Sequence, residues 1–198
     1  MTSLQSVQAQ IPEGVYRLSG GHEMVAAFQF KKDSFEFYFI YGAVDRNSKG
    51  HYKVRDGIIF LQSDKVPGND FTVVRQEHRG EGTTVQLSDA NIYLVKNVVG
   101  FFKKGPETDQ QFSDEKGYLH SALTNCDTVY VMHSLFPDVP TLVPKTAPLN
   151  NYFELKLNPS LAEVSFKDFF LNIEADGLSG SLPWLFEREK ALFVKEPE

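Results

Sequence analysis

Aromatic residues at two-residue spacing constrain this chain more than any other feature. Phe28 and Phe30, then Phe35, Phe37, Phe39 and Tyr41, alternate with Gln29, Glu36, Tyr38 and Ile40. Successive side chains of a strand point to opposite faces, so this spacing predicts two strands, each with one aromatic face. Lys31-Lys32-Asp33-Ser34 divides the two runs as a polar turn, and the whole reads as a hairpin. So wide an aromatic face needs a sheet or a core against it, and the region 28–50 becomes the anchor of the fold.

Composition points the same way. Aromatic residues make up 13% of the chain, with 17 Phe and 8 Tyr, and such residues favour strands and fill sandwich or barrel interiors. The expected class is all-β, an antiparallel meander or barrel followed by a sandwich-like second β-unit, with little helix. A length of 198 residues suits one large β-domain or two small ones.

A formal net charge of -6 gives no general electrostatic reason to bind nucleic acid or an anionic membrane surface. A single cysteine, Cys126, excludes an intrachain disulfide and a multi-cysteine zinc site. The first ten residues lack the basic and apolar regions of a working signal peptide, and no transmembrane segment is expected. Val7-Gln8-Ala9 nevertheless has the small-residue pattern of a secretory cleavage site, as if the upstream part of a precursor were missing; the alternative is a plain polar tail over 1–11.

Along the chain, Gly14-Val15-Tyr16-Arg17-Leu18 reads as a first strand. Beyond the anchor hairpin, Asn47-Ser48-Lys49-Gly50 reads as a turn before a strand at His51-Tyr52-Lys53-Val54. Asp56-Gly57, between apolar residues, is the strongest short hairpin signal. A meander over 12–80 is therefore expected, with a boundary in the charged, Gly-rich loop at 76–82 and a second unit over 81–198, fused with the first or separate. In that unit strands are expected at 83–87, 92–95, 98–102, 128–135 and 151–157, with a polar run at 103–111. Pro137, Pro140, Pro144 and Pro148 make 136–149 an ordered loop or sheet edge. Lys167-Asp168 is expected to mark a bulge, Ala175-Asp176-Gly177 a turn, and 184–186 a strand pairing with 192–194.

Gly14-Val15-Tyr16, Phe35-Glu36-Phe37, Tyr41-Gly42-Ala43-Val44-Asp45-Arg46, Gly50-His51-Tyr52, Leu135-Phe136-Pro137, Asn151-Tyr152-Phe153, Phe166-Lys167-Asp168-Phe169 and Gly177-Leu178 together resemble a group of uncharacterised Bacteroidetes-type proteins. The resemblance implies a lipocalin-like N-terminal meander and export from the cytoplasm, and it brings no activity or site with it. A shorter stretch, Asp114-Glu115-Lys116-Gly117-Tyr118, resembles the Asp-x-x-Gly-aromatic turn of transthyretin-like, carboxypeptidase-regulatory modules, which implies a small sandwich used for structure or adhesion.

Chemical motifs are few. His22, His51, His78, His120 and His133 include no His-x-His and no His-Glu-x-x-His, so no metal site and no cofactor are expected. Gly177-Leu178-Ser179-Gly180 lacks the spacing of a nucleophile elbow. Cys126 lies between Asn125 and Asp127, and a neighbouring acidic charge disfavours a reactive thiolate, so it reads as structural. Asp45-Arg46 beside the aromatic hairpin can orient a ligand or pin the 47–50 turn, with Asp45 capping it and Arg46 pairing locally. Phe35, Phe37, Phe39 and Tyr41 can line a barrel that holds a small apolar ligand or simply fill it.

Three functions compete on this reading. The first is a non-enzymatic binding protein outside the cytoplasm, periplasmic or extracellular, that takes a small apolar molecule or a protein partner through Phe35, Phe37, Phe39, Tyr41, Asp45 and Arg46. The second is a protein-interaction or structural module of inhibitor or immunity type. The third is a hydrolase-type enzyme, which requires a histidine brought against Asp45, Glu23 or Asp127.

Overall fold

The computed structural model describes residues 13–21, 23–182 and 190–197. In chain order the elements are β1 (Gly14–Leu18), β2 (Met24–Lys31), β3 (Ser34–Tyr41), β4 (Val44–Arg55) and β5 (Ile58–Ser63), then β6 (Phe71–Glu77), β7 (Thr83–Ser88), the one-turn helix α1 (Ile92–Val95), β8 (Val98–Lys104), β9 (Glu107–Phe112), β10 (Tyr118–Ser121), β11 (Thr128–His133), β12 (Thr141–Leu142) and β13 (Tyr152–Leu157). A 3-10 turn at Pro159–Ala162 precedes β14 (Phe169–Glu174), β15 (Gly177–Gly180) and β16 (Ala191–Lys195). The protein is all-β, as its aromatic alternation predicts. Among the described residues no helix is long and apolar enough to cross a membrane.

Two units divide the chain, 1–65 with 163–198, and 66–162. The first contains a closed antiparallel barrel in the order β1-β16-β15-β14-β5-β4-β3-β2. The expected meander over 12–80 is therefore only part of this body. β1–β5 close into a barrel through three strands from the far end of the chain, and the second unit is an insertion between β5 and β14, which are hydrogen-bonded neighbours. Closure removes both sheet edges, which an isolated meander would leave unpaired.

Local chemistry explains the hairpins. Asp56 (φ 52°) and Gly57 (φ 77°) both take the left-handed conformation that a tight two-residue turn demands, and they join β4 to β5 in the register Arg55↔Ile58. Phe28, Phe30, Phe35, Phe37 and Phe39 all point inward and are buried, and the β2–β3 pairing sets Phe28 opposite Phe37 and Phe30 opposite Phe35.

The expected turn at 47–50 is instead the middle of β4, a strand twelve residues long. Its inward polar side chains find backbone partners that lie far off in sequence. Ser48 Oγ donates to the Val164 carbonyl at 2.8 Å, and the Val164 amide donates back to the Asn47 carbonyl at 2.8 Å. Gly50 completes the strand for a steric reason: a Cβ built there would lie 2.1 Å from the Gln62 carbonyl oxygen of β5.

In the second unit, β10-β7-β13-β6 and β12-β11-β8-β9 form two four-stranded sheets whose inner faces share one core, including Val85, Phe153, Phe102 and Val131. β13 runs parallel to β7 and antiparallel to β6. Three local expectations change here. Residues 92–95 form a helical turn, not a strand, because Asn91 Oδ1 accepts from the Tyr93 amide at 3.0 Å and caps it. The polar run at 103–111 is a hairpin of β8 and β9 turning at Gly105 (φ 53°). The boundary expected at 76–82 falls inside this unit. The proline-rich stretch behaves as read, contributing only the two-residue edge strand β12. The expected strand at 184–186 and the expected cleavage site lie outside the described residues.

Candidate functional site

The barrel interior is the first place to look, because five of the seven rings of the anchor hairpin line it. It is full. Phe28 makes ring contacts with Phe37 at 4.7 Å, Phe193 at 5.0 Å and Phe166 at 5.6 Å between centroids. Phe166 comes from the segment between the 3-10 turn and β14, and it stands among Phe28, Phe35, Phe37 and Phe169. Interlocked rings at these separations are close-packed core.

The polar pair of the anchor region is split by strand alternation. Asp45 is exposed, and Arg46 is fully buried with its guanidinium donating to the Glu163 carbonyl at 3.1 Å. Lys65, also buried, donates to the same carbonyl at 2.7 Å. Arg46 therefore anchors a distant segment, and Asp45, on the opposite face, caps no turn at 47–50, which is strand. Tyr41, at the open end of β3, is 48% exposed and does not join the inner rings. The six expected residues thus separate into a buried trio, a buried cation and two surface groups.

The histidines and the cysteine are held structurally. His51, His78 and His133 meet the backbone carbonyls of Asp33, Leu149 and Leu94. His133 also accepts from the Leu135 amide through Nδ1, which leaves the ring proton on Nε2. His120 Nδ1 is 3.0 Å from the Thr84 hydroxyl. His22 lies outside the described residues. Cys126 is buried, and its Sγ lies 3.3 Å from the Thr83 hydroxyl and 3.6 Å from the Leu123 carbonyl. Among the described residues no group of three or more His, Cys, Asp or Glu is placed to hold a metal ion.

A polar row crosses the outer face of the second unit, with His120, Thr84, Tyr152 and Glu77 at matching registers. The Arg79 guanidinium covers the Tyr152 ring at 3.6 Å, and the Tyr152 hydroxyl donates to Gln86 Oε1. Burial works to raise the Glu77 carboxyl, but hydrogen bonds from Arg75 and Arg79 outweigh it and hold the group below its ordinary value. This row directs its polar groups at one another.

A cleft on the barrel is different. It has a volume of about 270 Å³ and is lined by His51, Tyr52 and Lys53 of β4, Phe60, Leu61 and Gln62 of β5, and Lys167, Asp168 and Phe169. Its origin is a register defect. Phe169 pairs with Leu61, yet the next contact along β5 is from the Ser63 amide to the Phe166 carbonyl, at 3.0 Å. One residue more than an unbroken antiparallel register allows is therefore accommodated at Lys167 and Asp168, opposite Gln62, and Asp168 takes a left-handed φ of 55° to do so. The expected bulge is present, and its residues line the cleft.

The chain matches no protein-family model and no curated protein. Function rests on the geometry.

Phe60 is 44% exposed and pairs laterally with Phe170, 51% exposed, on the outside of the barrel. The Tyr52 hydroxyl donates to the Lys32 carbonyl at 3.1 Å. Burial first, and then the carboxylates of Glu13 and Asp33, push the Tyr52 phenol above its ordinary value, so it stays neutral at physiological pH. Sequence reasoning missed the cleft because its lining residues come from β4, β5 and the 167–169 segment; the only early signal was the bulge at Lys167-Asp168.

Proposed function

We propose that this is a non-enzymatic binding protein that works outside the cytoplasm and recognises its ligand on the outer surface of the barrel. The observation that carries the reading is Phe166, whose ring occupies the space a ligand would take in a hollow barrel. With Phe35 and Phe37 packed against it, the interior serves stability, and recognition falls to side chains on the outside. The resemblance to exported Bacteroidetes-type proteins supports the location. The structural bonding of the described histidines and of Cys126 favours binding over catalysis.

A second reading, a protein-interaction module, is favoured by the exposed Phe60–Phe170 pair, since neighbouring exposed aromatics are common at partner interfaces.

The test is uptake of N-phenyl-1-naphthylamine, an apolar fluorophore that hollow barrels take up. The native protein is expected to show no saturable uptake, whereas Phe166→Ala gains it. Saturable uptake by the native protein, abolished by Phe37→Trp, would overturn the reading.

A further inference from the structure

The cleft between β4, β5 and the 167–169 bulge has the chemistry of a defined small-molecule site. Its apolar part is the exposed Phe60, with the buried Leu61 beside it on β5 and the half-buried Phe169 of β14 paired with Leu61 at the border of the barrel core. Its charged part is Lys53, cross-strand partner of Phe60, and Lys167 on the bulge. Among the described residues neither lysine has an ion-pair partner. Asp168 is the one carboxylate in the lining, against two lysines, on a chain whose net charge is -6.

We propose that this cleft binds a small amphipathic monoanion, a carboxylate carried on an aromatic or short aliphatic body. Lysines supply point charges suited to one carboxylate, and the Gln62 amide adds polar capacity. Asp168 opposes a multiply charged ligand such as a phosphate dianion. The volume of about 270 Å³ lies just under the usual range of about 300–1,000 Å³ for ligand sites, which selects a compact molecule. The bulge turns Lys167 and Asp168 out of the ladder, a common device for aiming side chains at a ligand. This inference rests on the outer-surface reading above and names the ligand class for it.

The experiment uses 3-phenylpropionate and its uncharged amide as probes, titrated into the isotope-labelled full chain and followed by amide chemical shifts. The acid is expected to shift resonances at 51–53, 60–62 and 167–169 with a Kd on the order of 0.1–1 mM. The amide should bind roughly tenfold more weakly, and Lys53→Gln and Lys167→Gln should each weaken the acid roughly two- to fivefold while leaving the amide unchanged. Both lysines are exposed, so the variants keep the fold, which their unshifted remaining resonances verify. Equal affinity for acid and amide would overturn the proposed ligand class. Absence of saturable shifts at the cleft would overturn the site and leave the outer-surface reading standing. Shifts centred on Phe35, Phe37 and Phe39 would overturn both.

Discussion

The ring of Phe166 stands at 89° to that of Phe37, with centroids 5.2 Å apart. This edge-to-face contact joins the segment that follows the inserted unit to the anchor hairpin near the start of the chain. Phe166 is 1% exposed, and its own backbone is pinned on both sides, the amide donating to Ser63 Oγ at 2.9 Å and the carbonyl accepting from the Ser63 amide. Truncating such a ring leaves a cavity that pinned neighbours collapse into poorly. Phe166→Ala is expected to lose about 3–5 kcal/mol of stability, measured as a drop in urea midpoint with little change in slope.

Gly50 sits where β4 hands its pairing from β3 to β5. A side chain there meets the backbone of Gln62 and Ser63, which cannot rotate away. Gly50→Ala should cost about 1–3 kcal/mol or more despite adding only a methyl group, whereas Gly42→Ala, at a turn where a Cβ meets nothing within 4 Å, pays only for its positive φ. Thermal unfolding of the two variants side by side checks the ordering.

Asn151 staples the loop at 79–82. Its Oδ1 accepts from the Arg79 amide at 2.7 Å, and its Nδ2 donates to the carbonyls of Arg79 at 2.9 Å and Gly82 at 2.8 Å. Asn151→Ala leaves these backbone groups without that partner and should destabilise the second unit by about 1–3 kcal/mol. Hydrogen exchange should quicken at 79–82 before it quickens in β13.

The Asp-x-x-Gly-aromatic turn makes a pH prediction. Asp114 accepts from the Tyr118 amide at 2.8 Å and the Lys116 amide at 2.9 Å, while Gly117 takes a φ of 79°. The bond from Tyr118 is the main cause that holds the carboxyl below its ordinary 3.8, against some desolvation. A depressed folded pKa contributes stability above the ordinary value and loses it as pH falls through the folded value. Asp114→Ala should therefore be less stable than the native chain at pH 7, and the gap should narrow below about pH 4. Urea titrations at pH 7 and pH 3 compare the two.

Features set by neighbours in sequence were legible from the residues alone. Phe35, Phe37 and Phe39 announce an inward strand face by spacing, Asp56-Gly57 announces its turn by backbone preference, and Lys167-Asp168 shows as an interruption in an apolar run. Features set by distant partners were not. Asn47-Ser48-Lys49-Gly50 has turn composition, yet it is extended because it pairs with β3 along Tyr38↔Asn47 to Phe35↔Gly50, while the carbonyls of Glu163 and Val164 accept from Arg46 and Ser48. Ile92-Tyr93-Leu94-Val95 has strand composition, and the cap at Asn91 overrides it. Barrel closure depends on pairs such as Phe60↔Phe170, whose partners lie on either side of a whole inserted unit, and no local pattern signals them. The cleft inherits that difficulty, since its three walls meet only after closure.

Native mass spectrometry of the purified full chain beside its denatured mass tests the central claim most directly: the barrel is filled by its own rings and recognition lies outside it. The account predicts that the native protein carries no apolar small molecule through purification. A reproducible apolar adduct, retained by Lys53→Gln and Lys167→Gln and lost in Phe37→Ala, would contradict it.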